Sequence, residues 1–292
     1  MNRKPAAPPN KPGLRIGEVM AHVRDQLTRN GIDNARSEAA WIIEKATGLS
    51  REQIVLKPDR PLTLVEQKQI AEHTSRRAQG EPLQYVLGEA DFRGWILSVG
   101  PGVLIPRPET ELLVDLARDR YPGHGAVCDM CTGSGAIAVA LAGELNLATN
   151  AITAIDLSFR ALTYAQINVQ RHQAKINLVQ ANLFKAFDNA VKFQLITANP
   201  PYIESTDYNA LPRDVRDYEP CEALHGGDRG TECLEQLLES ALWHLTEDGW
   251  LLSEIGEDQA QFCRDHATRI GYSRVEIHRD LSGRERMLAA AL

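Results

Sequence analysis

The chain is 292 residues long, 43% hydrophobic and 24% charged, the balance of a globular protein with room for one large domain or two moderate ones. Its 32 Lys and Arg against 39 Asp and Glu give a formal charge of −7, which weighs against a dedicated nucleic-acid binder, since such proteins draw much of their affinity from neutralising phosphates. Five cysteines, an odd number, with no secretory signal and no apolar run long enough to span a bilayer, point to reduced thiols in a cytoplasm and to no membrane partner.

Residues 1–13, MNRKPAAPPNKPG, read as a disordered leader. From 14 to 82 the spacing predicts a small all-helical domain. Ile16, Val19, Met20, Val23 and Leu27 recur at helical spacing, and Gly31 ends that helix. Ala39, Ile42, Ile43 and Ala46 define a second, closing near Gly48. Ser50 with Gln53 and Thr63 with Glu66 are capping boxes, and the second opens a helix that runs towards Arg77 and stops at Gly80, before Pro82. No constellation of catalytic side chains lies here.

Residues 83–108 read as a β-hairpin linker made of the β-like runs YVLG, ADF and WILSV, with Arg93-Gly94 turning between the last two. The stretch PGVLIPRPETELLVDLARD is extended and proline-bounded, then helical from Glu109, where a catalytic region 109–292 begins. Beyond residue 125 strands and helices alternate: AVCDM, a helix at 136–145, AITAID, a helix at 158–172, INLVQ, FQLITA, a helix at 231–245, GWLLSEI and a helix at 259–270. This predicts an α/β fold around a mainly parallel, doubly wound sheet. Only Leu281, Ser282 and Gly283 separate SRVEIHRD from RERMLAA, so these runs pair antiparallel and close the sheet with a hairpin.

Asp129 ends the first strand of the alternating region and TGSGAIA follows it directly. Gly133 and Gly135 allow a tight turn that brings backbone N–H groups at a helix N-terminus to a ligand. Asp156 ends the next strand, where a carboxylate can accept from both ribose hydroxyls. Together these predict an adenosine-containing cofactor. Gly133, Gly135 and Ala138 also satisfy G-x-G-x-x-A, so NAD stays open at this point. Asn182 follows the third strand, within reach of an adenine or as a helix cap.

ITANPPYI ends the fourth strand on the same edge of the sheet. An asparagine amide offers an acceptor and two donors but is neither acid nor base at neutral pH. Pro200 fixes its own φ, Pro201 holds Pro200 extended, and the Pro200 carbonyl becomes a second rigid acceptor. Tyr202 adds a flat face. Two fixed acceptors beside an aromatic plane suit a planar –NH₂ group, as in amino-group methylation, which needs neither a metal nor a strong base.

NPPY after a glycine loop of this kind resembles the N-methyltransferases acting on planar nitrogen. With GEPLQYVLGEADFRGWILSVGPGVLIPRPETE, DMCTGSGAIAVALA, DVRDYEPCEALHGGDRG and SGRERML, nearly all of the chain after the leader resembles the PrmC (HemK) family, the release factor glutamine methyltransferases. The resemblance implies a Rossmann-like class I methyltransferase with a helical substrate-recognition domain. It would act in translation termination in the cytoplasm, as a monomer without a stable nucleic-acid partner. S-adenosylmethionine, leaving as S-adenosylhomocysteine, would methylate the glutamine of the Gly-Gly-Gln motif in class 1 release factors to N5-methylglutamine. Asn199 and Pro200 would hold the glutamine amide, with Pro201 and Tyr202 completing the site. Asp129, Cys131, Thr132, Gly133, Ser134, Gly135, Asp156, Leu157, Asn182 and Leu183 would surround the cofactor, together with Asn199. Leu104, Pro106, Arg107 and Glu109 of the LIPRPET stretch would help to bind the substrate peptide.

This chain departs from the family pattern in having Cys131 in place of the first loop glycine and Asn182 in place of an aspartate. A relative acting on a glutamine of a large-subunit ribosomal protein also has cysteine in the loop, and it is the alternative substrate class. A DNA adenine methyltransferase needs a target-recognition region and a basic face that this acidic chain lacks room for. An NAD-dependent dehydrogenase, or a peptide-binding module without catalysis, leaves NPPY without a task. Cys128 and Cys131 form a lone C-x-x-C with no second pair and are read as structural, and no metal site is expected.

Overall fold

A computed structural model describes residues 13–145, 147 and 151–292, so the expected leader lies, apart from Gly13, outside the described residues. One compact unit ends at Gly88 and a second begins at Glu89.

The first unit is helical: α1 (Ile16–Arg29), α2 (Ala35–Thr47), α3 (Arg51–Leu56), α4 (Leu64–Ala78) and α5 (Leu83–Leu87). The apolar stripe of α1, at Ile16, Val19, Val23 and Leu27, is buried with Ile42 and Ile43 of α2 and Ile70 of α4. Both capping boxes form. Ser50 accepts from Gln53 N while Gln53 reaches back to Ser50 N, and Thr63 and Glu66 do the same at the start of α4. Glu38 and Arg77, each about 8% exposed, join α2 to α4 through two hydrogen bonds of 2.6 and 3.2 Å. Burial of that pair is tolerable because each charge meets its partner directly. The YVLG run is helical rather than β-like: Pro82 stands at the N-cap of α5, and Gly88, at φ 73°, closes it.

The second unit opens with a hairpin, β1 (Glu89–Phe92) and β2 (Trp95–Ser98). Arg93 and Gly94 both have positive φ, 53° and 80°, as a two-residue turn with the twist of its strands requires. Arg93 also pairs with Asp115 and Glu144, tying the turn to the helices beneath. The helix expected from Glu109 begins as a 3-10 turn over Pro108–Thr110 and continues as α6 (Glu111–Arg120).

Then follow β3 (Val127–Met130), α7 (Ala136–Glu144), β4 (Ile152–Asp156), α8 (Phe159–Arg171), β5 (Ile176–Gln180) and β6 (Phe193–Ala198). Two single-turn helices, α9 (Ser205–Tyr208) and α10 (Arg213–Arg216), precede α11 (Glu232–Ala241), β7 (Leu245–Glu254), α12 (Ala260–Ile270), β8 (Arg274–Arg279) and β9 (Glu285–Ala291). The strands form a seven-stranded sheet in the order β5-β4-β3-β6-β7-β9-β8. Pairing is parallel from β5 to β7 and antiparallel at β7-β9 and β9-β8. Apolar residues of α6 and α7 cover one face, packing on Val127, Leu195 and Leu252. Those of α11 and α12 cover the other, on Cys128, Ile196 and Leu251. Alternate residues of each strand thus enter opposite cores, and β3 and β6 are buried along their whole length.

Chain order reverses across β3 and β6, and an open α/β sheet holds its ligand crevice outside the strand ends at that place. Met130 pairs in register with Ala198 and with Ile155. The next residues, Cys131, Asn199 and Asp156, therefore leave the sheet side by side. No described helix is long and apolar enough to cross a membrane.

Candidate active site

Where those three residues emerge, a cavity of about 560 Å³ opens. Its lining includes Leu104, Pro106, Thr110, Cys131 to Ser134, Asp156, Leu157, Asn182, Leu183, Asn199 and Pro201, which brings most of the sequence-predicted residues to one place.

The glycine loop is built from below. Asp129, fully buried, does not line the cavity. It accepts from Thr132 Oγ1 at 2.5 Å and Thr197 Oγ1 at 2.8 Å, and burial pushes its carboxyl up to about 7. The expectation that it contacts a cofactor gives way to a place under the loop, anchoring Thr132. Gly133 and Gly135 turn the chain at φ 57° and 80°. A Cβ on Gly135 would lie 3.4 Å from that of Ala165, so Gly135 serves the packing of α8 rather than the cavity wall. The Gly133 N–H, read from the sequence as facing a ligand, donates instead to Asp156 Oδ2 at 2.8 Å. Cys131 holds a positive φ of 56°, a region that costs most side chains about 1 kcal/mol or more. Its thiol is hydrogen-bonded to Cys233 of α11 rather than paired with Cys128, and that bond together with burial raises it well above an ordinary thiol.

Asp156 accepts from Gly133 N and Ser158 N, each at 2.8 Å, through different oxygens. Each carboxylate oxygen retains a further lone pair for a ligand hydroxyl. Burial raises its pKa while those N–H groups and that of Leu157 counter it. Leu157, 62% exposed, and Leu183 offer apolar surface on the same side. Asn182 makes no capping bond to the 3-10 turn that follows it. A carboxylate with free acceptor sites, beside apolar surface and an unengaged cap residue, fits an adenosine-bearing ligand.

At the other end stands Asn199, half-buried. Its Nδ2 donates to Thr110 Oγ1 at 3.3 Å. Thr110 in turn donates to Glu254 Oε2 at 2.6 Å, and the Tyr202 hydroxyl donates to Glu254 Oε1 at 3.0 Å. Glu254, 2% exposed at the end of β7, has its pKa raised by burial, with both hydroxyls opposing the rise. Burial raises Tyr202 as well, with the Glu254 charge adding to it. Pro200 is buried behind Asn199, and Tyr202 turns its hydroxyl inward to Glu254; neither lines the cavity.

The backbone after Pro201 is held from behind. Ile203 N donates to Leu224 O and Gly226 N to Ile203 O, both at 2.9 Å. Gln259 Nε2 donates to the carbonyls of Tyr202 and Gly230 at 3.0 Å. A Cβ on Gly226 would sit 2.6 Å from the Pro201 and Gly230 carbonyl oxygens, so only glycine fits. Arg107 and Glu109, expected against the substrate, are not among the residues that line the cavity. Arg107 pairs at 2.5 Å with Glu219, which also accepts from Ile105 N and so ties the LIPRPET stretch to the segment before α11. Glu109 is exposed in the 3-10 turn. Among the described residues, no group of three or more His, Cys, Asp or Glu could hold a metal ion.

Thr110 was expected only as the end of the stretch Ile105 to Thr110 that would help form the peptide pocket; Glu254, Gly226 and Gln259 were not singled out by the sequence. The doubled glycine of HGG was a signal for Gly226, since paired glycines mark close backbone approach; nothing local marked Glu254.

Residues 18–88 match the PrmC N-terminal domain and residues 108–213 the methyltransferase small domain. Proteins named release factor glutamine methyltransferase match along almost their whole length. That of Geobacter sulfurreducens is 37% identical over 95% of this chain and 96% of its own. That of Salmonella typhimurium is 38% identical over 93% and 95%. Among solved structures, a methyltransferase from Pyrococcus furiosus is 21% identical with a TM-score of 0.52, covering 68% of this chain and 89% of that one. The hMettl16 catalytic domain, in complex with MAT2A 3'UTR hairpin 6, is 17% identical with a TM-score of 0.57, covering 75% and 82%. At those identities the two structures speak for the fold alone, a Rossmann-like methyltransferase.

Proposed function

The chain belongs to the release factor glutamine methyltransferases, and from that membership we propose that it transfers a methyl group to the glutamine of the Gly-Gly-Gln motif in class 1 peptide chain release factors, at the side-chain amide nitrogen, giving N5-methylglutamine. The observation that carries the reading is Asn199, tied back by its Nδ2 to Thr110 in the lining of a cavity that Asp156 shares from β4, one strand beyond β3.

A carboxamide nitrogen is a poor nucleophile because its lone pair is delocalised into the carbonyl. With Nδ2 committed to Thr110, Asn199 turns Oδ1 towards the cavity as an acceptor. Oδ1 takes an amide hydrogen, orienting the nitrogen and favouring lone-pair character on it. Leu104, Pro106 and Pro201 add apolar lining to the cavity, which keeps water from competing for that acceptor. Positioning of this kind contributes at most about 7–11 kcal/mol of a barrier.

The cofactor is S-adenosylmethionine, whose sulfonium methyl is the electrophile. Asp156 would accept from its ribose, Asn182, Leu157 and Leu183 would border its adenine, and Cys131 to Ser134 would border its methionine end. Cys131 and Asn182 stand on this wall, so both departures from the family pattern touch the cofactor rather than the amide. Action on release factors places the reaction in the cytoplasm. The ribosomal-protein alternative is not favoured, because the relatives that match along nearly the full chain are named for release factors.

Incubating the protein with methyl-labelled S-adenosylmethionine and a purified class 1 release factor is expected to label the wild-type factor and leave its Gly-Gly-Gln Gln→Ala variant unlabelled. Equal labelling of both would sink the glutamine assignment.

A further inference from the structure

We propose that Glu254 is a positioning residue for methyl transfer, acting through Thr110 to fix which end of the Asn199 amide meets the substrate. The inference rests on the reading that Asn199 grips the glutamine amide, and it concerns how that grip is set.

An asparagine amide presents an acceptor or a donor to the same point in space according to a 180° turn about its last bond, and the two ends have nearly the same shape. Only one orientation suits a substrate –NH₂, because an Asn199 –NH₂ pointing into the cavity would oppose donor to donor. Something must therefore decide the turn. Thr110 Oγ1 is the neighbour that can, yet a hydroxyl alone decides nothing, since it both donates and accepts.

Glu254 removes that ambiguity. Both of its oxygens accept from hydroxyls, so the Thr110 proton is committed to Glu254 Oε2 at 2.6 Å. Thr110 then offers Asn199 lone pairs alone, and Asn199 must turn Nδ2 to it, as the 3.3 Å contact has it. Oδ1 is left for the cavity. The other carboxylate oxygen accepts from Tyr202 at 3.0 Å, so one buried group orders both side chains that bracket the rigid Pro200-Pro201 segment. Glu254 is placed for this by the sheet: it ends β7, and its predecessor Ser253 pairs in register with Ala198, the residue before Asn199. With 2% of its surface exposed it does not line the cavity, so it acts on substrate only through its neighbours.

Glu254→Gln keeps the shape and supplies a donor where two acceptors stood. One of the two hydroxyls then loses its acceptor, and Thr110 becomes free to donate to Asn199 Oδ1, turning the amide the wrong way. Expected for Glu254→Gln is a fall in kcat of about 10- to 100-fold, the scale of a small misplacement at the reacting centre, with the KM for release factor and the Kd for S-adenosylmethionine each within about threefold. Thr110→Val is expected to match it and Thr110→Ser, which keeps the hydroxyl, to restore turnover to within about threefold of wild type. The Glu254→Gln/Thr110→Val double variant is expected to be no slower than the slower single, as for residues that act in series.

Wild-type kcat in both Glu254→Gln and Thr110→Val, with Asn199→Ala inactive, would overturn the relay while leaving the grip intact. Turnover in Asn199→Ala would instead remove the reading beneath it. Loss of cofactor affinity in step with turnover would make Glu254 a structural support and overturn the proposal in the same way. If Glu254→Gln does not fold, the Thr110→Val and Thr110→Ser pair decides alone, and failure of serine to rescue counts against the relay.

Discussion

Asn199→Ala is expected to lower kcat for release factor methylation by at least about 10²- to 10³-fold, the loss seen when one preorganised polar group is removed from a reacting centre. The Kd for S-adenosylmethionine is expected to stay within a few-fold. The split follows from where the side chain stands. Asn199 leaves the sheet next to the glycine loop, but its amide is fastened to Thr110, whereas Asp156 is engaged by Gly133 N and Ser158 N. Alanine removes the acceptor and leaves Pro200, buried and conformationally fixed, in place. Isothermal titration with the cofactor, beside single-turnover labelling, separates the two quantities. Wild-type turnover would end the acceptor argument.

The second large effect runs the other way. Asp156→Ala is expected to weaken S-adenosylmethionine binding about 100-fold or more. Two charge-assisted hydrogen bonds to a ribose, at about 1.5–3 kcal/mol each, set that scale. The same change strips Gly133 N and Ser158 N of their acceptor, so the glycine loop loses the contact that holds it against β4. Raising the cofactor concentration is expected to recover much of the lost turnover, which it does not do for Asn199→Ala. An Asp156→Ala protein binding cofactor as tightly as wild type would place the ribose elsewhere.

Legibility from the sequence tracked how local the signals were. The alternating strands and helices of the second unit follow from apolar periodicity broken by glycine and proline, and they appear in the expected order, except that the helix expected over 231–245 stops at Ala241 and β7 already begins at Leu245. The terminal hairpin appears as well, because a connection of only residues 280–284 permits no parallel return. The capping boxes at Ser50 and Thr63 form as read, since each is complete within four residues. YVLG misled because a short apolar run with a β-branched and an aromatic residue carries no period, whereas Pro82 ahead and Gly88 behind decide for a helical turn. Within the site, the placement of Asn199, Asp156 and Cys131 to Ser134 around one cavity was legible, as it follows from their positions at strand ends. Asp129 and Arg107 read as ligand contacts because sequence gives position along a strand but not depth. One is buried under the loop and the other is taken by Glu219, 112 residues away. Glu254 was invisible for the same reason: its meaning comes from Thr110, 144 residues earlier, and from Tyr202, 52 earlier.

The place of β9 between β7 and β8 bears on how the molecule comes into being. Every parallel strand can join a neighbour already made, but β8 has no place on the sheet until β9, which follows it, has been synthesised. Glu254 faces Met287 of β9 in the register, so the edge that carries it stays open until then. The nucleotide half of the cleft, on β3, β4 and β5, can therefore take shape while the half that grips the amide is unfinished. In refolding followed by pulsed hydrogen exchange, amides of β8 and β9 are expected to gain protection after those of β3 and β4. Simultaneous protection would mean that the sheet closes in one step. A chain stopped short of β9 would carry Asn199, Thr110 and Glu254 but would leave the β7 edge beside Glu254 unpaired.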